Sequence, residues 1–246
     1  MKIFTIENHI NGILCALYLS FTEKIIPDFV EDISTFQPRF DGAIINVNTN
    51  TANSERVKTA LYKYGGSDII YQMKICLMSK EHSALLHAFN YGYATLKYRT
   101  DISNMLSEKA VSDFSYTVQK VLHERHILTG MIRFRESING VLYAKFSPDN
   151  DVVSLIAPHF LKRLGRTPFI LHDLSRNKIC ISDGATIKTV FTNLPANFTP
   201  AEKESGISEL WKKYYGSVNI KERKNQRLQD NFFPRRYRKY CYETWE

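Results

Sequence analysis

Between Ser67 and Ile127 the chain carries no proline and little alternation of apolar with polar residues, and just past Gly130 that character changes within a few positions. The upstream stretch spaces its apolar residues by three and four, as packed helices require. Downstream, Met131 to Glu136 and Val141 to Ser147 alternate with a period of two, as strands require. A chain that changes period once has to build a helical part and a sheet part in succession, so an α+β fold is predicted. Breaks near Ser79-Lys80 and Thr100-Asp101 divide the helical stretch into about three helices. The last of them carries Val111, Phe114, Val118, Val121 and Leu122 as its apolar stripe.

The N-terminal end adds a short strand over residues 2 to 6. Ile10, Ile13, Leu14, Leu17, Tyr18 and Phe21 then recur at helical spacing. Residues 27 to 41, bounded by Pro27, Pro38 and Gly42, read as irregular, and residues 43 to 47 as a second strand. Ser54 is placed to cap a helix that Gly65-Gly66 stops after Tyr64. Residues 1–124 are thus expected to be mostly helical with a short two-strand element, and residues 125–246 to form a separate α+β domain.

Within the second part, Asn139-Gly140 marks a hairpin. A two-residue loop there would set Arg135 opposite Ala144 and Arg133 opposite Phe146, mixing charge with apolar side chains on both faces. Shifting the register by one gathers Ile132, Phe134, Leu142, Ala144 and Phe146 on one face and Arg133, Arg135, Tyr143 and Lys145 on the other, so an odd-length loop is predicted. A helix over 151 to 164 follows, led in by Pro148-Asp149-Asn150-Asp151, with Val152, Leu155, Ile156, Phe160 and Leu164 facing inward. Strands near 168 to 173, 178 to 182 and 186 to 191 complete a mostly antiparallel sheet. Beyond the linker from Pro195 to Pro200, Ile207, Leu210, Trp211, Tyr214, Tyr215 and Val218 mark an aromatic-faced helix.

Charge is distributed unevenly. Between Lys221 and Tyr240 eight Lys or Arg stand against two acids, which supplies six of the whole chain's net +8. Phe232, Phe233, Tyr237, Tyr240, Tyr242 and Trp245 are set through or just beyond that run, so a polyanion partner with stacked bases is suggested. The four cysteines (Cys15, Cys76, Cys180 and Cys241) are far apart, which argues against a zinc knuckle, a disulfide framework or an iron-sulfur cluster held by this chain. They read as reduced thiols, and a cytoplasmic location is expected. The first residues lack the apolar core of a signal peptide, no apolar run reaches 18 residues, and no membrane partner is expected. Phosphate-binding, dinucleotide-binding, zincin and nucleophile-elbow motifs are all missing. No cofactor and no metal site are expected.

Several motifs carry a family resemblance. These are Gly130-Met131-Ile132-Arg133-Phe134-Arg135-Glu136, Leu142-Tyr143-Ala144, Pro148-Asp149-x-Asp151-Val152 and His159-Phe160-x-x-Arg163, then Ile170-Leu171-His172-Asp173 with Arg176. Leu210-Trp211-x-x-Tyr214-Tyr215, Glu222-Arg223-x-Asn225-x-x-Leu228-Gln229 and Pro234-Arg235-Arg236-Tyr237 complete the set. Over residues 125 to 243 the chain resembles a bacterial family of unknown function that carries DNA-metabolism and DNA-repair labels. The resemblance implies a radical-SAM partner protein and a C-terminal domain that also occurs fused to uracil-DNA glycosylase superfamily domains. The chain departs from that pattern at Asn150, Phe169, Gln226 and Arg238, and Asn150 removes a histidine that would have been a candidate base.

Two sets of site residues follow. For nucleic acid the candidates are Arg133, Arg135, Tyr143, Lys145, Arg163, Arg176, Arg223, Asn225, Arg235, Arg236 and Tyr237, as phosphate contacts, stacking rings or base-edge readers. The same groups serve equally as solvated strand faces, helix caps, or ion pairs that lock a C-terminal helix onto its domain. For catalysis the candidates are His159, His172, Asp173 and Glu136, which in one cleft would suit general acid-base chemistry. His159, seven residues after Val152, is expected on or beside the buried stripe of its helix as a hydrogen-bonded core histidine. His172 and Asp173, adjacent on a strand, point to opposite faces and cannot act as a dyad. The expected role is a DNA-binding accessory protein, with an enzyme acting on a base or nucleotide as the alternative. An interaction scaffold that docks a protein partner is a third reading.

Overall fold

The computed structural model describes residues 1–38, 42–191, 199–218, 225–232 and 234–241. They form an α+β protein of two compact units, Met1–Leu122 and His123–Glu246.

The first unit opens with β1 (Lys2–Ile6) and α1 (Ile10–Glu23), where the helical spacing of Ile13, Leu14 and Leu17 becomes a fully buried face. β2 (Phe29–Asp32) and β3 (Ala43–Asn46) both run parallel to β1, in the order β2-β1-β3. The expected two-strand element is therefore three-stranded. The missed strand lies between Pro27 and Pro38, and its four residues are too few to show a period against that punctuation. α2 (Thr51–Gly65) starts three residues before the expected cap because Asn50, not Ser54, accepts the Asn53 N–H at 3.1 Å. α3 (Ile69–Leu77), α4 (Ala84–Tyr98) and α5 (Lys109–Met131) are the predicted helices with the predicted breaks.

α5 runs further than the sequence suggests. Met131, expected to start a strand, ends this helix, and the Arg133 Nη1 donates to the carbonyl of Gly130 at 2.8 Å, satisfying one of the last turn's orphan acceptors. Only β4 (Arg135–Glu136) remains of the first hairpin strand. It pairs with β5 (Leu142–Phe146) as Arg135 to Tyr143 and Glu136 to Leu142. Ser137 donates to Val141, which leaves the three-residue loop Ile138-Asn139-Gly140, with Gly140 at φ +73°. The odd-length loop predicted from face segregation is the one that forms.

α6 (Val153–Leu164) carries the chain across to β6 (Phe169–Asp173), parallel to β5, and β7 (Lys178–Ser182) and β8 (Ile187–Phe191) follow antiparallel. The sheet order is β4-β5-β6-β7-β8. Register assigns its faces. Leu142, Ala144, Phe146, Phe169, Leu171, Asp173, Cys180 and Ser182 share one side. All but the half-buried Leu142 are buried, and Phe134 joins Phe169 to Phe160 of α6 at ring distances of 6.0 and 4.9 Å. α6 thus covers this side and makes the core.

α7 (Lys203–Val218), α8 (Gln226–Phe232) and α9 (Arg235–Arg238) complete the unit. The carboxylate of Glu204 accepts the Glu136 N–H at 2.7 Å and Ala201 donates to the Glu136 carbonyl, so the first turn of α7 and the residues before it cover the outer edge of β4. Among the described residues no helix is long and apolar enough to cross a membrane.

Candidate nucleic-acid interface

The sheet side opposite α6 carries the chemistry. Cross-strand register sets Arg135, Tyr143, Ile170, Ile181 and Lys188 in one row. A second row holds Lys145, His172, Ile179 and Val190. Lys145 and Lys188 are exposed, as are Ile181 at 41% and Val190 at 44%, so this side presents two separated cationic positions around an apolar centre. Neighbouring strands lie about 4.8 Å apart and residues two apart on a strand about 6.7 Å, so β5 and β8 set these two lysines, one row out of step, roughly 16 Å from one another.

Tyr143 and His172 sit lower in the same surface, at 9% and 4% exposure, and share a hydrogen bond of 2.8 Å between the phenol oxygen and Nδ1. Burial pushes the Tyr143 hydroxyl up to about 12. Burial lowers the imidazole of His172, with Lys145 acting in the same direction and the charge of Asp173 opposing it. Both rings are therefore neutral near pH 7, and the imidazole tautomer sets which of them donates. A neutral hydrogen-bonded pair next to a lysine can orient a ligand or share a proton with it.

Arg133 lies just outside β4. Besides capping α5 it stands 5.8 Å over the ring of Trp211, which stacks at a tilt on Tyr214 at 5.5 Å. Trp211 is 38% exposed and Tyr214 56%. A cation against an accessible indole and phenol is a group that bases can stack on.

The remaining candidates have other employment. Asp173 is fully buried at the end of β6, where burial raises its carboxyl and Arg176 lowers it. It accepts from the Ser175 N–H at 2.8 Å and the Arg176 Nη1 at 3.1 Å. Arg176 also donates to the carbonyls of Pro148 and Asp149, so the pair fastens the β6–β7 turn to the entry of α6. Glu136 holds Lys203 at 2.8 Å. His159, expected near the core, is exposed on α6 with its ring edge against Phe160, because Pro158 and His159 fall on the outer side of that helix. Arg163 is exposed in the last turn of α6, on the far side of the sheet from Lys145. The four catalytic candidates are thus not brought into one cleft. Among the described residues no group of three His, Cys, Asp or Glu is placed to hold a metal.

The basic C-terminal motif is anchored through Tyr237 and through ion pairs, with Arg235 and Arg236 exposed. Tyr237 is 2% exposed and its hydroxyl donates to Glu124, itself buried in α5; burial and that carboxylate raise the phenol. Glu124 accepts further from the backbone N–H groups of Asp149 and Asn150 at 2.7 and 2.8 Å and from the Asn150 side chain at 2.6 Å. Arg236 bonds Asp149 at 3.2 Å and lies over the Tyr237 ring, while Arg235 and Arg238 both reach Asp230, at 2.8 and 2.5 Å. Asn225 caps α8 through Leu228. Arg223 lies outside the described residues.

Sequence reasoning missed Lys188 and Glu124. Lys188 and Val190, two apart on β8, share a face, and the period-two rule would have placed Lys188 on the same side as Lys145 once the pairing was known. Glu124 falls three residues after Val121 and four before Leu128 on the buried stripe of α5, and a carboxylate at such a position needs several donors.

A family model described as a domain of unknown function matches residues 80–243, more than half of the chain. Its span begins well upstream of residue 125, where the resemblance in the sequence starts. No curated protein matches the chain.

Proposed function

From the premise that this chain belongs to the DUF4130 family, a domain of unknown function, we propose that it binds nucleic acid through the side of the C-terminal sheet opposite α6. One observation carries the reading: register gathers Arg135, Tyr143, Lys145, His172 and Lys188 on a single side while the apolar set of the same strands packs on α6. Lysines set apart around an apolar, ring-bearing centre suit a backbone that runs across the strands with bases laid on the sheet. The resemblance to DNA-metabolism and DNA-repair proteins favours DNA as the polyanion and a bacterial cytoplasm as the setting. It also favours a radical-SAM protein as the partner that supplies the chemistry. The role is then that of an accessory protein that holds DNA for that partner.

The test is an anisotropy titration of the full chain with labelled single-stranded and duplex DNA across a range of salt. Affinity that falls steeply with salt is expected, with a slope that shrinks by about 0.7 to 0.9 for each phosphate contact removed. Undetectable or salt-independent binding to both forms overturns the reading. Co-purification with a co-expressed radical-SAM protein tests the partner separately.

A second reading, an enzyme acting on a nucleic-acid base or nucleotide, draws on the buried Tyr143–His172 hydrogen bond. It needs no help from His159, Asp173 or Glu136. Mass spectrometry of oligonucleotide bases after incubation tests it, and unchanged bases with the unaltered chain exclude it for the substrates tried.

A further inference from the structure

The first unit contains a cavity of about 430 Å³ between α3, α4, α5 and the loop after α4, and its chemistry is the reverse of the sheet side just described. In a chain of net charge +8, the ionisable groups that line it are Asp68, Asp101 and Tyr91, with no lysine, arginine or histidine among them. Its floor is aromatic. Tyr91 and Phe114 stack nearly parallel, 4.0 Å between centroids and 8° between planes, and both are more than nine-tenths buried.

The Tyr91 hydroxyl is the telling group. Tyr91 is 6% exposed and lines the cavity, yet among the described residues no group hydrogen-bonds its hydroxyl. The ring is buried while the oxygen stays open to the cavity, so it is a donor and acceptor that a bound molecule would meet. Burial and the nearby charge of Asp101 both hold its proton on, so it is a ready donor with a negative field beside it. Gln72 and Gln119 add amides to the walls. Pockets of this volume fall in the range that holds small organic ligands, with an apolar surface and a few convergent polar groups.

We propose that this cavity is a binding site for a small organic cation bearing a planar ring. The ring lies against the Tyr91–Phe114 pair, a ring heteroatom takes the Tyr91 hydroxyl, and the cationic group sits between Asp68 and Asp101. Anions of the same shape are refused by the two carboxylates, which separates this site from any that binds nucleic acid phosphate. The occupant is distinct from DNA, and the site stands or falls independently of the sheet.

Calorimetric titration of the full chain with tryptamine, benzamidine and indole-3-acetate tests it, since the first and last share one ring system with opposite charge. At least one cation is expected to saturate below about 1 mM, with indole-3-acetate weaker than tryptamine by roughly tenfold or more. Asp68→Asn with Asp101→Asn should weaken the bound cation about fivefold or more. The fold should be kept, because an asparagine oxygen can still accept the Ser103 N–H that Asp101 takes at 2.9 Å. Tyr91→Phe, which keeps the stacked ring, should weaken it about threefold. Indole-3-acetate binding as tightly as tryptamine overturns the proposal. So does a cation affinity unchanged in the double variant, or no saturable binding by either cation up to about 10 mM.

Discussion

The C-terminal motif and the outer side of the sheet both looked like cationic surfaces in the sequence, but the structure uses their charges in opposite ways. Around α9, Arg235 and Arg238 converge on Asp230, Arg236 on Asp149, and Tyr237 on Glu124. On the sheet, Lys145 and Lys188 extend from strands whose other side is already packed, and both are exposed. The difference lies in pairing, because Arg235 and Arg236 are exposed on α9 and yet bonded to acids. A helix of four residues cannot hold itself, so it is stabilised by tertiary contacts, and its ionic groups serve those contacts. A five-stranded sheet covered on one side by α6 is already held, and Lys145, Ile181, Lys188 and Val190 on its other side stay exposed beside the buried Tyr143 and His172. Positive charge in sequence therefore does not say which cations are tied to acids of the same chain.

The largest expected effect tests the locking half of that contrast. Glu124→Ala leaves buried donors from Asp149, Asn150 and Tyr237 without their acceptor and should cost about 3 kcal/mol or more in urea unfolding. A loss under about 1 kcal/mol would break the claim that the motif is held by this carboxylate.

Next comes the surface half. The triple variant Arg135→Ala, Lys145→Ala, Lys188→Ala should lower DNA affinity by roughly 30- to 100-fold at low salt and reduce the salt slope by about two. If Arg235→Ala with Arg238→Ala does the same and the triple variant does not, the comparison inverts and the tail is the interface. A smaller shift sharpens the same point. Asp230→Asn removes the charge that Arg235 and Arg238 share, with a stability change of about 1 kcal/mol or less. DNA affinity should rise no more than about threefold if the tail is peripheral to binding.

The smallest effect concerns pH. His172 has its folded pKa below its unfolded value near 6.5, so the unfolded chain binds the proton first as pH falls. Stability from this group is intact above pH ~6.5 and declines below it until the folded imidazole also protonates. His87, lowered by burial in the first unit, contributes in the same direction. His172→Gln should flatten, without abolishing, the fall in urea midpoint between pH 7 and pH 5. An unchanged fall would mean that the Tyr143–His172 pair does not resist protonation.

Legibility in the sequence tracked how local each cause was. Ile13, Leu14 and Leu17 declared α1, and the segregation of Arg135 and Lys145 from Leu142 and Phe146 declared both the hairpin register and its odd loop. The four-residue β2 did not declare itself, since prolines at 27 and 38 outweigh a short run that needs β1 beside it to be a strand. Val152, Ile156 and Phe160 of the expected stripe are buried, but His159 was misread because the buried face of α6 extends to Val153 and Ala157, away from Leu155 and His159, and a single residue on a helix is a turn of about 100°.

The sequence by itself determined the α+β character, most element positions, the sheet's polar and apolar sides, and the excess of charge at the C-terminus. These rest on periodicity and composition, which neighbouring residues carry among themselves. Only the tertiary structure decided which charges are occupied, that Tyr237 is buried on Glu124, that Lys188 joins Lys145 across three strands, and that Tyr91 faces an acidic cavity. Each of these depends on residues far apart in the chain meeting in one place, and no local pattern records the partner.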